Sequence, residues 1–244
     1  MAEAASASVP IAGAAAIEEL RRLVALASRV LGEGGHDDLI WGHVAARDPE
    51  GRGVWMKASG LGMDEIGPEH VILVSPDGEV LEGDGPRHIE YPIHTEALAA
   101  RPDAGAVVHT HARHAVALGA SGEPLRPFSH QANLFVPPKL RRYTETGDLI
   151  RTPEMGLSVA ACLGDHDALL LVNHGIVTVG ASVADAVMRA VLLEQACEMQ
   201  LMVRVLGGSP TWSDPEESLA KRDHIYSSRA LEQAFDYLVR RLDR

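Results

Sequence analysis

Three histidines stand at positions where they could bind one metal ion. His109 and His111 follow the apolar run 106–108, and His174 follows a second apolar run, 169–172, and Asn173. Because residues two apart on a β-strand point to the same face, the first pair can present two imidazoles to one ion, and His174 could supply a third nitrogen. Three histidines with an open fourth position are typical of a catalytic metal site.

A motif this short also arises by chance. The chain has twelve histidines in 244 residues, and composition alone then gives roughly 0.6 His-x-His pairs. The alternative interpretation is two ordinary strand histidines, one hydrogen-bonded and one at the surface. The pair therefore needs support from the residues around it.

Glu90 is the candidate acid/base, at the start of a predicted helix that leads into the histidine strand. A carboxylate beside a cation can transfer protons, because it can ligate the empty metal and be released when substrate arrives. Alternatively, Glu90 only compensates the helix dipole. Weaker candidates for substrate contacts are Gly42, His43, Ser59, Gly60, Arg87, His88 and His130, of which His130 fits a surface histidine better. Five other histidines are expected to face solvent: His36, His70, His114, His166 and His224.

The composition excludes several functional classes. Hydrophobic residues make up 46% and charged residues 23% of the chain, as in ordinary globular proteins. A formal charge of −12 argues against a nucleic-acid partner, and no run of apolar residues is long enough to span a membrane. Cys162 and Cys197 lie in apolar helical patterns, which indicates two buried thiols and a cytoplasmic location.

The pattern of apolar residues predicts one mixed α/β domain over 17–244, preceded by a disordered arm over 1–16. A Ser-Pro-Asp-Gly turn at 75–78 predicts a hairpin, and Ser182 and Gly207 delimit the clearest helix. The predicted helices are 17–31, 91–100, 112–118, 157–163 and 183–206, with one or two more in 215–244. The predicted strands are 39–46, 54–57, 71–74, 80–81, 106–111, 168–173 and 176–179. Residues 121–138 are predicted to form a loop.

Two blocks of this sequence resemble the class II aldolase/adducin family. In that family a glutamate precedes Arg-Pro-Asp and an apolar strand that ends in His-x-His, as Glu90 precedes Arg101-Pro102-Asp103 and His109 here. Segment 169–180 is similar to the family's third-histidine segment. Residues 42–45 and 59–60 stand where the family has its substrate loops, and the resemblance covers about residues 17–210.

The resemblance implies a single-domain α/β/α layered fold with a mostly antiparallel sheet. It also implies that His109, His111 and His174 bind one divalent metal, zinc first and manganese, iron or cobalt as alternatives. Glu90 would be the acid/base, and the metal would stabilise the enediolate left when a carbon–carbon bond breaks. The substrate would be a small molecule, and the assembly a homotetramer with sites near subunit interfaces.

The sequence departs from the sugar-phosphate aldolases of the family at their phosphate loops. Those positions hold His43, residues 57–60 and His88-Ile89 here, so a phosphate pocket of that type is not expected. The remaining residues resemble the branch that decarboxylates hydroxylated aromatic or heterocyclic acids, in which Arg87 or His88 could hold a carboxylate. The alternatives are an aldolase for a small hydroxy-carbonyl or sugar-derived compound, an iron-dependent redox enzyme, and a non-catalytic adducin-like assembly module.

Overall fold

One eight-stranded sheet forms the centre of the protein in a computed structural model that describes residues 11–242. The strands are β1 (His43–Arg47), β2 (Val54–Lys57), β3 (Val71–Val74), β4 (Val80–Glu82), β5 (Ala106–Thr110), β6 (Arg141–Tyr143), β7 (Ala168–Leu171) and β8 (Gly175–Gly180). They are arranged in the order β4-β3-β2-β1-β5-β8-β7-β6. Every neighbouring pair is antiparallel except β6 and β7, which are parallel.

Helices cover both faces of the sheet. Within residues 11–242 the α-helices are α1 (Ile11–Leu31), α2 (Pro92–Ala100), α3 (Arg113–Ser121), α4 (His130–Asn133), α5 (Pro153–Leu163), α6 (Val183–Leu206), α7 (Pro215–Ile225) and α8 (Ser228–Arg241). Successive strand residues face opposite layers, so Val44 packs with α1, α3, α6 and α8, whereas Ala45 packs with α2 and α5. The predicted α/β/α fold with a mostly antiparallel sheet is confirmed. None of these helices combines the length and the apolar character needed to cross a lipid bilayer.

Turn and capping chemistry was predicted well. Ser75 and Gly78 close the hairpin between β3 and β4 through a backbone hydrogen bond of 2.9 Å. The Ser182 hydroxyl accepts a hydrogen bond from the Asp185 N–H at the start of α6, and Gly207 ends the helix with φ 70°. Both signals are local, because they depend on backbone angles and on side chains within four residues.

Other segments differ from their predictions. The strand predicted for 39–46 begins only at His43, because Leu39 (φ 55°) and Gly42 (φ 82°) adopt left-handed backbone conformations. Helix α1 begins at Ile11 and not at residue 17, consistent with the high helix propensity of its alanines. Residues 1–10 of the predicted arm lie outside the described residues. The predicted loop 121–138 contains α4, β6 was not predicted, and the C-terminal segment forms two helices, α7 and α8.

His36 connects the end of the first helical segment to the strand that carries the histidine pair. It was predicted to face solvent, but it is only 1% exposed, and its Nδ1 lies 2.9 Å from Thr110 Oγ1. Burial lowers the pKa of His36 to about 4, so the ring is neutral at neutral pH. The apolar surroundings at the end of α1 outweigh the usual preference of histidine for the surface.

The buried neutral His36 is expected to make folding sensitive to mild acid. The unfolded chain binds this proton near pH 6.5, but the folded chain binds it only near pH 4. Stability present above pH 6.5 is therefore lost as the pH falls to about 4, by on the order of 3 kcal/mol. Urea unfolding of the metal-free protein at pH 7.5 and 4.5 measures this loss, which should be smaller in His36→Asn. The same pH dependence in both proteins would contradict the prediction.

Candidate metal centre

The pairing of three strands brings the candidate residues together. In the antiparallel register of β1 and β5, His43 lies directly opposite His109. On the other side of β5, Thr110 pairs with Ile176 of β8. Because His174 ends the turn that enters β8, this register places it beside the histidine pair.

The turn between β7 and β8 has a backbone shape that few residues allow. Asn173 adopts φ 61°, a left-handed conformation that asparagine tolerates better than most residues with a side chain. A Cβ atom at Gly175 would lie 2.5 Å from the Thr110 carbonyl oxygen and 3.0 Å from the His111 ring. Glycine is therefore required for β8 to approach β5 this closely, and the Asn-His-Gly sequence is explained by geometry.

Four side chains converge on one point: Glu90, His109, His111 and His174. Each offers a ligand atom, and these atoms all lie within 4.8 Å of one another. The Glu90 carboxylate oxygens lie 3.6 Å from His109 Nε2 and 3.4 Å from His174 Nε2. The ring centroids of the three histidines are 4.9 to 5.3 Å apart. The structure thus brings together the residues that the sequence singled out as ligands and acid/base.

Hydrogen bonds at the outer nitrogens fix the orientation of two of these rings. His109 Nδ1–H donates to the Ile176 carbonyl at 2.9 Å, and His111 Nδ1–H donates to the Asp38 carboxylate at 2.7 Å. In a neutral ring the remaining Nε2 then carries a lone pair. Nε2 of both rings and both ring nitrogens of His174 are buried without a hydrogen-bond partner in the structure.

A divalent metal ion fits this group of side chains. Buried nitrogens without partners are costly unless something satisfies them, and a cation accepts all three lone pairs at once. Ligands about 2.1 Å from a tetrahedral zinc ion lie about 3.4 Å apart. The Glu90 to histidine distances are close to this spacing, and a shift of about 1 Å would bring the outermost atoms into range.

Glu90 lies two residues before α2, but its side chain makes no capping hydrogen bond there. The N-cap residue of this helix is Tyr91, whose side chain does not take part in capping. Instead its carboxylate accepts a hydrogen bond of 2.8 Å from the Ile150 N–H and faces the histidines. Burial raises the pKa of Glu90, but the contacts with the His109 and His174 rings lower it by more than burial raises it. The net pKa lies well below the usual value. The helix-dipole interpretation of Glu90 is thus less well supported than the site interpretation.

A second group of ionisable side chains adjoins the first: Lys57, His88, His43 and His94. Lys57 Nζ lies 3.3 Å from His88 Nε2, and His43 Nδ1 lies 2.5 Å from His94 Nε2. The His43 ring centroid is 4.3 Å from that of His88 and 5.1 Å from that of His109. The two groups therefore form one continuous polar region.

Burial keeps these imidazoles neutral. It lowers the pKa of His88 and of His94 to about 3 and that of His43 well below its usual value. Lys57 and His94 were not identified from the sequence. A lysine at the end of a strand normally reaches solvent, and the one sequence signal was that Lys57 interrupts an otherwise apolar run, 54–58.

Arg87 does not contribute to this polar region as expected. Its guanidinium stacks over the Tyr91 ring at 4.3 Å and donates from Nε to the Gly78 carbonyl, in the β3–β4 hairpin. The expectation that Arg87 holds a carboxylate is therefore not supported, since both contacts direct its charge towards the hairpin. His88 remains in place, beside Lys57.

The other residues that were predicted to contact the substrate, Gly42, Ser59, Gly60 and His130, have different surroundings. Gly42 has φ 82°, which explains the glycine before His43. The Ser59 N–H donates a hydrogen bond to the Pro86 carbonyl oxygen. Within residues 11–242, neither Ser59 nor Gly60 makes a hydrogen bond to Glu90 or to the three histidines. His130 is exposed at the first turn of α4, as the surface alternative expected.

A cavity of about 410 Å³ opens at His111 and His174. Its wall also includes Arg113, Leu149 and Asn173. This volume lies within the range of pockets for small organic molecules. A substrate with a single ring can therefore reach two of the three histidines from solvent.

The Asp38 carboxylate is expected to strengthen metal binding through His111. Replacing such a partner of a metal-binding histidine costs about 10- to 100-fold in metal affinity, so Asp38→Asn should weaken zinc binding by that factor. Asp37→Asn is the matched control, because Asp37 borders the same cavity without contacting a histidine in the structure. Competition with a chromophoric chelator measures both affinities, and equal losses in the two variants would contradict this role.

Comparison with known proteins agrees with this site. Residues 22–201 match the model of the class II aldolase and adducin N-terminal domain. A 3,4-dihydroxyphthalate decarboxylase from Terrabacter sp. strain DBF63 is 31% identical over 82% of this chain and 87% of its own length. A 5-methylthioribulose-1-phosphate/5-deoxyribulose-1-phosphate aldolase from Rhodospirillum rubrum is 31% identical over 61% of this chain and 66% of its own length.

The fold agrees as well. The crystal structure of an aldolase II superfamily protein from Pseudomonas syringae superposes with a TM-score of 0.84, at 28% identity and 93% coverage of both chains. Because the relatives named above are an aldolase and a decarboxylase, the predicted carbon–carbon lyase is confirmed at the level of the family. The protein belongs to the class II aldolase and adducin family.

Proposed function

We propose that this protein is a metal-dependent decarboxylase of hydroxylated aromatic or heterocyclic carboxylic acids. The observation that carries the proposal is the group of three buried histidine nitrogens without hydrogen-bond partners, next to Glu90 and to a polar region of imidazoles and one ammonium. Lys57, His43 and His88 occupy positions where the sugar-phosphate aldolases of the family hold phosphate. The relative named as a 3,4-dihydroxyphthalate decarboxylase supports the same substrate class.

His109, His111 and His174 are the proposed ligands of one divalent ion, zinc in the first instance. Such an ion supplies a Lewis acid that stabilises negative charge on adjacent substrate oxygens. The hydrogen bonds to Ile176 and Asp38 hold two of the rings with Nε2 directed inwards. Two of the three lone pairs are therefore held in a fixed direction, and the cavity at His111 can admit the substrate.

Glu90 is the proposed proton carrier. Its lowered pKa keeps it ionised at neutral pH, so it can accept the proton of a substrate hydroxyl group. After carbon dioxide leaves, the same proton can be returned to the carbon that carried the carboxylate. His88 is a second candidate donor: its Nε2 accepts from Lys57, so in the neutral ring the proton is on Nδ1.

An aldolase acting on a small hydroxy-carbonyl compound is the second candidate. It is favoured by the relative from Rhodospirillum rubrum, whose name describes an aldolase. In this reaction Glu90 would remove a proton next to a carbonyl group, with the same stabilisation of negative charge. Absence of the family's phosphate-binding residues at positions 43, 57–60 and 88–89 is the argument against a sugar phosphate. A homotetrameric assembly and a cytoplasmic location stay predictions.

Carbon dioxide release separates the two candidates. Zinc-loaded protein incubated with 3,4-dihydroxyphthalate should release one carbon dioxide per substrate and leave a dihydroxybenzoate, because the carboxylate beside a hydroxyl is the one that can chelate. Phthalate has no hydroxyl group and should release none. If 5-deoxyribulose 1-phosphate yields an aldehyde while none of a panel of hydroxylated aromatic acids yields carbon dioxide, the decarboxylase proposal is wrong.

The role of Glu90 can be tested by a neutral replacement of the same shape. Glu90→Gln cannot carry the proton, and kcat for carbon dioxide release should fall by roughly 10²- to 10⁴-fold, the usual contribution of general acid/base catalysis. Glu96→Gln, on the outer part of α2, is the control and should stay within a few-fold of the wild type. A wild-type kcat in Glu90→Gln would show that Glu90 is not the proton carrier.

A further inference from the structure

His111 differs from the other candidate ligand on its strand because its backbone lies just outside the sheet. Strand β5 ends at Thr110, which pairs with Ile176, and His111 has no paired residue on either neighbouring strand. The next residue, Ala112, is the N-cap of helix α3. The backbone of His111 is therefore held by the sheet on one side and by the start of α3 on the other.

Helix α3 has no cap of its own. The N–H groups in the first turn of a helix have no acceptor within the helix, and Ser, Thr, Asp or Asn at the N-cap usually supplies one. Ser182 does so for α6 and Ser227 for α8. Ala112 has no side-chain oxygen and makes no such hydrogen bond. Because buried N–H groups without an acceptor are costly, α3 needs an acceptor from elsewhere in the fold.

The side chain of Glu194 on α6 supplies this acceptor. Its Oε1 accepts a hydrogen bond of 2.9 Å from the His114 N–H, and its Oε2 accepts one of 2.9 Å from the Ala115 N–H. These are the second and third residues of α3, whose N–H groups an N-cap side chain normally binds. Oε1 also lies 2.8 Å from His114 Nδ1. Glu194 is only 8% exposed, so water competes little for these contacts.

The negative charge of Glu194 also suits this position. The N-terminus of a helix carries a partial positive charge, equivalent to about half an elementary charge. In this protein that end of α3 begins two residues after His111, a proposed ligand of a divalent cation. Two positive charges repel each other more strongly where water is excluded. A carboxylate at the end of α3 compensates the helix dipole and so reduces this repulsion.

We propose that Glu194 is a positioning residue of the metal centre: it caps α3 from α6 and thereby fixes the backbone of His111. The inference rests on the proposed function and extends it beyond the residues of the site. Glu194 belongs neither to the ligand group nor to the lining of the cavity at His111. Asp38 holds the ring of His111 through Nδ1, and Glu194 holds the chain that carries the ring.

Glu194→Gln tests this role, because the amide keeps the size of the side chain but loses the charge and one acceptor oxygen. In the metal-free variant the first turn of α3 should fray, so zinc must order it again on binding. Competition with a chromophoric chelator, under conditions where the protein is fully folded, should show zinc affinity lowered by about 3- to 30-fold, the range that corresponds to loss of a helix cap.

Glu198→Gln is the matched control. Glu198 lies one turn further along α6 and borders the same cavity of about 380 Å³ as Glu194. Within residues 11–242 it makes no hydrogen bond to α3. The substitution removes the same charge from the same helix, so zinc affinity should stay near that of the wild type.

Two further variants separate capping from other effects of Glu194. His114→Ala removes the side-chain contact and leaves both backbone hydrogen bonds, so zinc affinity should stay near that of the wild type. Ala112→Ser, introduced into Glu194→Gln, provides a local N-cap. It should restore most of the lost affinity, because a serine hydroxyl can accept from the same N–H groups.

The possible outcomes distinguish this inference from the proposed function. A wild-type protein that binds no zinc would overturn both. A Glu194→Gln variant with a lower urea midpoint of unfolding but unchanged zinc affinity would make Glu194 purely structural and overturn the inference alone. A loss in His114→Ala as large as in Glu194→Gln, or no restoration by Ala112→Ser, would also overturn it.

Circular dichroism checks that each variant folds. If Glu194→Gln does not fold, Glu194→Asp replaces it, because the shorter side chain keeps the charge but reaches α3 less well. Zinc affinity should again fall and be restored by Ala112→Ser. An unchanged affinity in Glu194→Asp together with no effect of Ala112→Ser would overturn the proposal.

Discussion

Burial of His109 and of the neighbouring imidazoles His43, His88 and His94 is the constraint on which the rest of the site depends. An imidazole can bind a metal only when it is neutral, and burial enforces neutrality by disfavouring the charged form. Burial is the largest cause of the lowered pKa at His43, His88, His94 and His109. Protonation of His109 therefore does not compete with a metal ion at neutral pH, because the surrounding sheet and helices exclude the solvent that would stabilise the charged ring.

The sheet register determines which rings meet. A shift of one residue between β1 and β5 would move His43 to the opposite face and away from His109. The position of β8 depends on Gly175, because only a residue without a Cβ atom allows this close approach to Thr110 and His111. Local backbone requirements, and not only ligand chemistry, thus explain why the third histidine lies between Asn173 and a glycine. The clustering of these side chains is therefore a consequence of strand pairing.

The sequence predicted the fold class, most helices and the residues that lie together around Glu90, because these depend on period and spacing. The predictions failed where contacts between residues far apart in the sequence determine the position of a side chain. His36 appeared to have no partner, but the end of α1 buries it against Thr110. Arg87 lies next to His88 in sequence, yet its guanidinium turns back to the hairpin. Lys57 was not recognised, because nothing in a four-residue strand reveals that its ammonium will be enclosed by residues 40, 58 and 88.

Charge balance connects the two parts of the site. A divalent ion bound at this site would add two positive charges to the Glu90 carboxylate and the buried Lys57 ammonium, with a net charge of two positive. Asp38 is 43% exposed, so solvent screens much of its charge. Uncompensated charge is expensive at low dielectric, so a bound anion would stabilise the metal-loaded site.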